Sequence, residues 1–500
     1  MKIENNNPVA TKEETLDPND WSALKRLGNV MVNDMIDFLQ TIGEQPVWKK
    51  PPEQVKNNFK TQLPYSPMHL DQVYDEFKQN ILPYYLGNIH PRYWSWVMGT
   101  GTAQAMLAEM LASGMNCNVG IGDQAAVYVD QQVINWCKQM MNFPAESSGA
   151  LVSSASVANL NALIVARNSV NNTIRKSGIN GQKKMFIYAS TETHSCIQKA
   201  AEIIGIGADG VRKVNVNENY EMDIIHLEKL IEQDKKEGNI PFCVVANIGT
   251  VNTGAIDALY KIYWVCCKQN LWMHVDGAFG ALLNLLPEYK DRLNCLEFAD
   301  SIAFDQHKWM SIPYEAGVVL VRDADMHRKT FSLQPDYISN NERGIAAGPE
   351  PTSNFGFELS RNFKALKVWM SLKEHGIEKF VRLIRQNITQ AKYLTMLIEQ
   401  SDVLELTAPT STNIVCFRFN PGKDDVDLNA LNKEILMQLQ ESGIAAPSYT
   451  KLNGNYCLRV ANVNHRSVLK DFDILVNEVI KIGHQLMKKQ NEKTQLLMQS

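Results

Sequence analysis

Leu24, Leu27, Met31, Met35 and Leu39 recur every three or four residues, and Gly43 and Pro46 follow them. That spacing lines one face of an α-helix and predicts an amphipathic helix over 17–42, behind a loose tail at 1–15. Proline-interrupted helical sequence continues to about residue 90. It holds too little apolar sequence for a core of its own and reads as an arm or layer. From about 100 to 325 short apolar runs alternate with longer amphipathic stretches. The runs 186–189, 242–248, 271–275, 302–304 and 318–321 read as buried strands, and 194–204, 222–237 and 257–269 as helices between them. This alternation predicts a mostly parallel sheet covered on both faces. Such sheets bind ligands beyond the carboxyl ends of their strands, so the polar residues that end the strand runs carry most interest.

Residues 338–356, rich in Asn, Gly and Pro, predict a long exposed loop of the kind that is functional or disordered. A helical stretch near 358–400 follows. Strand-like 403–407, 413–419 and 456–461, a helical 427–442 and a long helix from 466 then read as a smaller α+β domain, and the polar end at 488–500 should fray. The expected division is an arm over 1–90, a large α/β domain over 91–385 and a small domain over 386–500. No internal repeat or low-complexity tract stands out.

The 500 residues carry 50 Lys and Arg against 54 Asp and Glu, a formal charge of −4. Nothing in that balance draws the chain to nucleic acid or to an anionic lipid surface. Apolar residues are 45% and charged residues 21%, values of a folded globular protein. The nine cysteines form no C-x-x-C pair, which argues against a disulfide framework or a four-ligand zinc site and for reduced, buried thiols. The polar, acidic start lacks the pattern of a secretory signal, and no apolar run approaches the roughly 20 residues of a membrane span. A cytoplasmic protein with no membrane partner is the expectation.

The chemistry concentrates in HVDGAFG at 274–280 and DSIAFDQHKWMSIPYEAG at 300–317. His274 and Asp276 end one strand run, and His307 and Lys308 follow another. A lysine at the mouth of a sheet, once it sheds its proton, can attack a carbonyl carbon and form a Schiff base. An aldehyde cofactor handled in this way needs an anion for its ring nitrogen, a stacking face, a phosphate cradle and a proton donor. Asp276 is the candidate anion, and equally a strand-end cap. His194 could stack on a ring, and equally cap its helix. The small-residue turn of SSASVANLNALIVAR at 153–167 could offer backbone N–H groups to a phosphate, although many helices begin this way. Thr250 lies in another small, polar strand end, GTVNTGAID, and Tyr337 precedes the loop where a mobile acid would serve.

In their order and spacing, HPRYW at 90–94, MLAEML at 106–111, SSASVANLNALIVAR, THSCIQKAA, GTVNTGAID, HVDGAFG, FDQHKW and QPDY make the chain resemble one family. It is that of the group II pyridoxal-phosphate-dependent amino acid decarboxylases, which act on aromatic amino acids, histidine, glutamate or cysteine sulfinate. The resemblance covers about 16–480. It implies the type I, aspartate-aminotransferase-like fold, pyridoxal 5'-phosphate as cofactor, and a homodimer with shared active sites. It implies Lys308 as the cofactor-tethering lysine, Asp276 as the partner of the pyridine nitrogen, and His194 as the stacking histidine. Ala155, Ser156 and His307 match phosphate-side positions, Thr250 a cofactor-contacting threonine, and Ala278 a small residue packed under the ring. Tyr337 matches the loop tyrosine that protonates the substrate carbon.

Three departures stand out. Asp305, which belongs with the cofactor-binding positions, replaces a usual Asn of the aromatic-amino-acid enzymes. Val157 replaces a common acidic residue. Gly99 and Gly101 alter the WVMGTG segment, so a substrate pocket does not transfer. The expected reaction is decarboxylation of an L-amino acid, with an aromatic substrate first. An acidic amino acid or diaminobutyrate is the alternative, with Arg92 or Arg361 as a carboxylate partner or a structural residue. The oxidative aldehyde-synthase branch is a second alternative, which the presence of Tyr337 disfavours. A metal protein using His274, Asp276 and His307, and an inactive scaffold of the same fold, complete the rivals.

Overall fold

The computed structural model describes residues 14–171, 173–333, 342–423 and 426–499, with the side chains of 493, 494 and 496–499 left aside; Tyr337 lies outside the described residues. The chain divides into two units, Met1–Glu44 with Pro51–Tyr85, and Gln45–Lys50 with Leu86–Ser500.

The predicted first helix runs over Trp21–Gln40. The Asp20 carboxylate caps it by accepting from the backbone N–H groups of Ser22 and Ala23 at 2.8 and 3.0 Å. Two further helices, Glu53–Asn58 and Leu70–Asn80, complete the unit, and Tyr74 Oη donates to Asp34 across it at 2.8 Å. None of the twenty residues of Trp21–Gln40 is buried: in its stripe Leu24 is exposed and Leu27, Met31, Met35 and Leu39 are half-buried, and Trp21, Val30 and Ile36 are exposed besides.

Among the described residues the larger unit contains twelve strands: β1 (Tyr93–Trp94), β2 (Ser148–Val152), β3 (Met185–Ser190), β4 (Val211–Val214), β5 (Ile240–Asn247), β6 (Trp272–Asp276), β7 (Ser301–Asp305), β8 (Gly317–Val321), β9 (Leu404–Leu406), β10 (Ile414–Phe419), β11 (Ala446–Leu452) and β12 (Asn455–Ala461). Seven make one sheet in the order β2-β8-β7-β6-β5-β3-β4. Strands β3 to β7 pair in parallel, and β8 runs antiparallel to both β7 and β2. Register sets Asn247 beside Asp276, and Asp305 and Val152 on either side of Gly317. The carboxyl ends of β2, β5, β6 and β7 therefore meet along one edge. In β5 every residue after Ile240 is buried, as a strand covered on both faces requires.

The five predicted strand runs of this sheet are β3, β5, β6, β7 and β8. Two more strands escape a reading based on apolar runs. The four residues of β4, VRKV, form the sheet's outer edge, where exposed Lys213 blunts the backbone and Arg212 pairs with buried Asp234 over the Phe186 ring. The five residues of β2, SGALV, merge into the Ser-rich turn that follows.

The second sheet has the order β1-β11-β12-β10-β9, with β1 parallel to β11 and the other pairs antiparallel. Strand β11 was not expected, yet Asn453-Gly454 marks its turn. Both residues have positive φ, 50° and 82°, and close a two-residue hairpin into β12. Behind this sheet Trp94 stacks on Phe472 with ring centroids 4.9 Å apart and donates from Nε1 to Ser467 Oγ at 3.1 Å. No described helix is long and apolar enough to cross a membrane. Because Trp94 is completely buried, Trp94→Ala should cost about 3–5 kcal/mol of stability in urea unfolding, and a loss under 1 kcal/mol would contradict this packing.

Candidate active site

Strand β6 ends in Asp276, which is 5% exposed, and its Oδ1 accepts from the Ala278 N–H at 3.2 Å. Strand β7 ends in Asp305, and a single helical turn, Gln306–Trp309, then carries His307 and Lys308. The Asp305 carboxylate is 1% exposed and has partners on three sides. Oδ1 accepts from the Ala155 N–H at 2.5 Å, at the start of the helix Ala155–Val170. Oδ2 lies 3.0 Å from Lys308 Nζ and 3.5 Å from His307 Nε2. His307 Nδ1 accepts from the Ala316 N–H at 3.1 Å, so a neutral ring carries its hydrogen on Nε2, toward Asp305. Burial holds the pKa of His307 below the usual histidine range.

These groups border a cavity of about 310 Å³. Of the residues expected from sequence, Ala155, Ser156, His194, Asp276, Ala278 and Lys308 line it together. Lys308, with 21% of its side chain exposed, reaches into it from above Asp305. Asp305 and His307 stay buried behind the lysine. Thr250 behaves differently. It is buried, and its hydroxyl accepts from the Ala255 N–H at 3.0 Å and meets Thr253 Oγ1 at 3.1 Å, so it closes its own turn while Gly249 and Val251 face the cavity. Arg92 donates to Ile444 O at 2.7 Å and lies 3.5 Å from Asp471, and Arg361 donates to Leu151 O. Neither arginine lines the cavity. His274 has both ring nitrogens engaged, with Ser301 at 2.8 Å and Asn159 at 2.7 Å, which turns it away from a shared metal position with Asp276 and His307.

Desolvation raises the pKa of Asp276, and the charges of Lys308 and His194 pull it back. His194 Nδ1 accepts from the Cys196 N–H at 3.2 Å, and loss of water around the ring lowers its pKa, partly offset by Asp276. Its flat ring faces the cavity.

Among the lining residues that the sequence did not single out for the site, three matter to the chemistry. Arg459 on β12 is buried and donates to Asn252 O, Ser448 Oγ and Val251 O at 3.1, 3.2 and 2.6 Å, which leaves two of its five N–H groups. An arginine inside the apolar strand NYCLRVA is the signal that could have found it. Trp96, 58% exposed with φ 54°, belongs to the run HPRYWSWV at 90–97, whose aromatic surface already suits an aromatic amino acid near the entrance. Asn159, inside the Ala155–Val170 helix, carries no comparable mark.

Pyridoxal phosphate fits these residues. An amine and a buried carboxylate face one cavity, with Ala278 small enough to pass a ring. The Ser154 side chain makes no capping bond at the Ala155 helix, so first-turn N–H groups beyond Ala155 remain for an anion. Gly317 keeps that turn close to β8, since a Cβ there would meet Ser154 backbone atoms at 2.6–2.8 Å.

The model of the pyridoxal-dependent decarboxylase conserved domain matches residues 52–420. The chain is 30% identical over 457 residues to an aromatic-L-amino-acid decarboxylase of Bacillus atrophaeus, covering 90% of this chain and 93% of that protein. It is also 30% identical over 461 residues to a phenylacetaldehyde synthase of Arabidopsis thaliana, with the same coverage of 90% and 93%. Among solved structures, Catharanthus roseus tryptophan decarboxylase in complex with L-tryptophan superposes with a TM-score of 0.85 at 22% identity, over 94% of this chain and 100% of that one. Mouse CSAD gives 0.87 at 23%, over 93% and 99%. These two likenesses establish the type I fold.

Gly99 packs directly on the lysine segment. A Cβ at this position would lie 1.9 Å from His307 O and 2.6 Å from Lys308 O. Gly99→Ala should therefore displace the 307–308 backbone and weaken pyridoxal phosphate binding at least tenfold, roughly 1.4 kcal/mol. Absorbance titration of the folded variant measures this, and wild-type affinity would contradict it.

Proposed function

The chain belongs to the pyridoxal-dependent decarboxylase family, and from that premise we propose that it releases the α-carboxyl group of an aromatic L-amino acid as carbon dioxide and leaves the amine. It is a pyridoxal-phosphate-dependent carboxy-lyase. The observation that carries the reading is the sharing of one cavity by Lys308 and Asp276, with apolar Trp96, Val97, Val251 and Phe279 around them.

When bound, pyridoxal phosphate supplies an aldehyde that bonds an amine and a ring that takes up the electron pair left by departing carbon dioxide. Lys308 Nζ would tether the cofactor, and Asp305, 3.0 Å away, would pair with that amine when it is free and charged. Asp276, whose charged form Lys308 favours against the desolvation that raises its pKa, would face the ring nitrogen and favour a proton there. A fixed charge in a desolvated site needs no rearrangement as the reaction proceeds. His194 would cover one face of the ring, and Ala278 would leave room at the other. Arg459, which also lines the cavity, would supply its remaining N–H groups to the substrate carboxylate. Trp96, Val97 and Phe279 exclude water and match an aromatic side chain. Tyr337 is the proposed donor of the proton that reaches the α-carbon.

The working form is a homodimer. Two surfaces support this. The Trp21–Gln40 helix buries none of its apolar stripe, and the helix Ala103–Met115, AQAMLAEMLASGM, buries Ala105 and Ala108 while Met110, Leu111 and Met115 stay exposed. Burial of seven of the nine cysteines fits a reducing, cytoplasmic setting. A second reading, oxidative production of an aldehyde, draws on the likeness to phenylacetaldehyde synthase.

Incubation with the twenty L-amino acids, dopa, cysteine sulfinate and diaminobutyrate should yield amine and carbon dioxide fastest from an aromatic substrate. Faster turnover of an acidic or diamino substrate would overturn the aromatic assignment, and ammonia with peroxide in place of amine would establish the oxidative branch. Lys308→Ala should lose at least a thousandfold in turnover, about 4 kcal/mol or more. Met110→Glu with Leu111→Glu should halve the mass measured by light scattering, and an unchanged mass would remove that helix from the interface.

A further inference from the structure

Trp272, His274 and Asp276 alternate with Met273 and Val275 along β6 and so share one face of a central strand. Polar groups in such a place need partners. The Trp272 indole donates from Nε1 to Ser301 Oγ at 2.8 Å, and the same hydroxyl lies 2.8 Å from His274 Nδ1. An indole nitrogen only donates, so Ser301 accepts from it. His274 is fully buried, which pushes its pKa down to about 3 and keeps the ring neutral. Asn159 Oδ1 can only accept, so the one hydrogen of the ring sits on Nε2, which donates to it at 2.7 Å, and Nδ1 accepts from the Ser301 hydroxyl.

The bonds thus run in one direction. Oδ1 faces the histidine, and Nδ2 donates to Cys196 Sγ at 3.3 Å. Asn159 lines the cavity together with Asp276 and favours the charged form of its carboxylate. We propose that Asn159 is a positioning residue for Asp276, oriented by the Trp272–Ser301–His274 chain so that its amide N–H holds the carboxylate charged and aimed into the cavity. The inference rests on Asp276 being the partner of the cofactor's ring nitrogen. It gives a use to His274, which lies outside the cavity lining, and to a polar residue in the middle of a buried helix face.

The other groups around Asp276 are accounted for. Lys308 after β7 and His194 after β3 favour its charge, as does the Ala278 N–H. Cys196, its pKa pushed up to about 12, faces it as a neutral thiol. Asn247, its neighbour on β5, gives its amide to Asp257 Oδ2 and Thr193 Oγ1 at 3.0 and 2.9 Å. Burial alone opposes the charge, so the Asn159 amide is the uncharged side-chain donor whose removal should tell.

The test uses holoenzyme reconstituted with pyridoxal phosphate carrying ¹⁵N in its ring, followed by NMR across pH, alongside the pH profile of kcat. In Asn159→Leu the ring-nitrogen signal should move toward its unprotonated position at neutral pH, and the acid limb of kcat should rise by about one pH unit, a tenfold change in proton concentration. His274→Phe, which cuts the chain one step back, should move both in the same direction and by less. A wild-type signal and a wild-type acid limb in Asn159→Leu overturn the proposal even if kcat falls, because a purely structural residue changes the amplitude alone. If Asn159→Leu fails to fold, Asn159→Ser replaces it: the same two shifts support the proposal, and wild-type values of both overturn it. Wild-type protein that takes up no labelled cofactor overturns the reading of the site itself, and the inference with it, before any variant is compared.

Discussion

Everything at the mouth of the large sheet turns on how one buried carboxylate is compensated. Asp305 is nearly inaccessible to water, and a charge so placed is tolerable when it is paired and hydrogen-bonded. It has the Ala155 N–H on one oxygen and Lys308 and His307 around the other. These contacts join the end of β7 to the start of the Ala155–Val170 helix and hold the lysine over the cavity. Register brings them within reach, since Asp305 and Val152 flank Gly317 on β8 and the helix starts three residues beyond Val152. This carboxylate thus acts as the tie between two walls of the site.

The remaining polar groups follow the same rule of enforced pairing at strand ends. Asp276 draws on Lys308, His194, the Ala278 N–H and Asn159. Arg459 gives three of its N–H groups to Asn252, Ser448 and Val251. What these arrangements leave at the cavity is an amine, a carboxylate, a flat ring and the Arg459 guanidinium, within apolar walls. That residue of unused capacity is the chemistry the family exploits.

Legibility from sequence tracked how far each feature depends on neighbours in the chain. Strands β5 to β8 read clearly because burial on both faces demands unbroken apolar runs, and Lys308 and Asp276 read clearly because polar residues abruptly end those runs. Strand β4 was hidden by charges that belong to a sheet edge, and β2 by its small residues. Arg459 lies 151 positions after Lys308 and enters the cavity through a strand of the other sheet, which no local pattern anticipates. Thr250 shows the opposite failure. Its position beside the site is right, but the hydroxyl is taken by the turn it closes. Asn159 reads as an ordinary helix residue until His274 and Asp276 are folded against it.

The proposed reaction rests on a covalent link between pyridoxal phosphate and Lys308 Nζ. Borohydride reduction of cofactor-saturated protein, followed by digestion and peptide mass analysis, should leave a pyridoxyl group on the peptide that contains Lys308. A colourless protein without that modified peptide, or the label on another lysine, would contradict it.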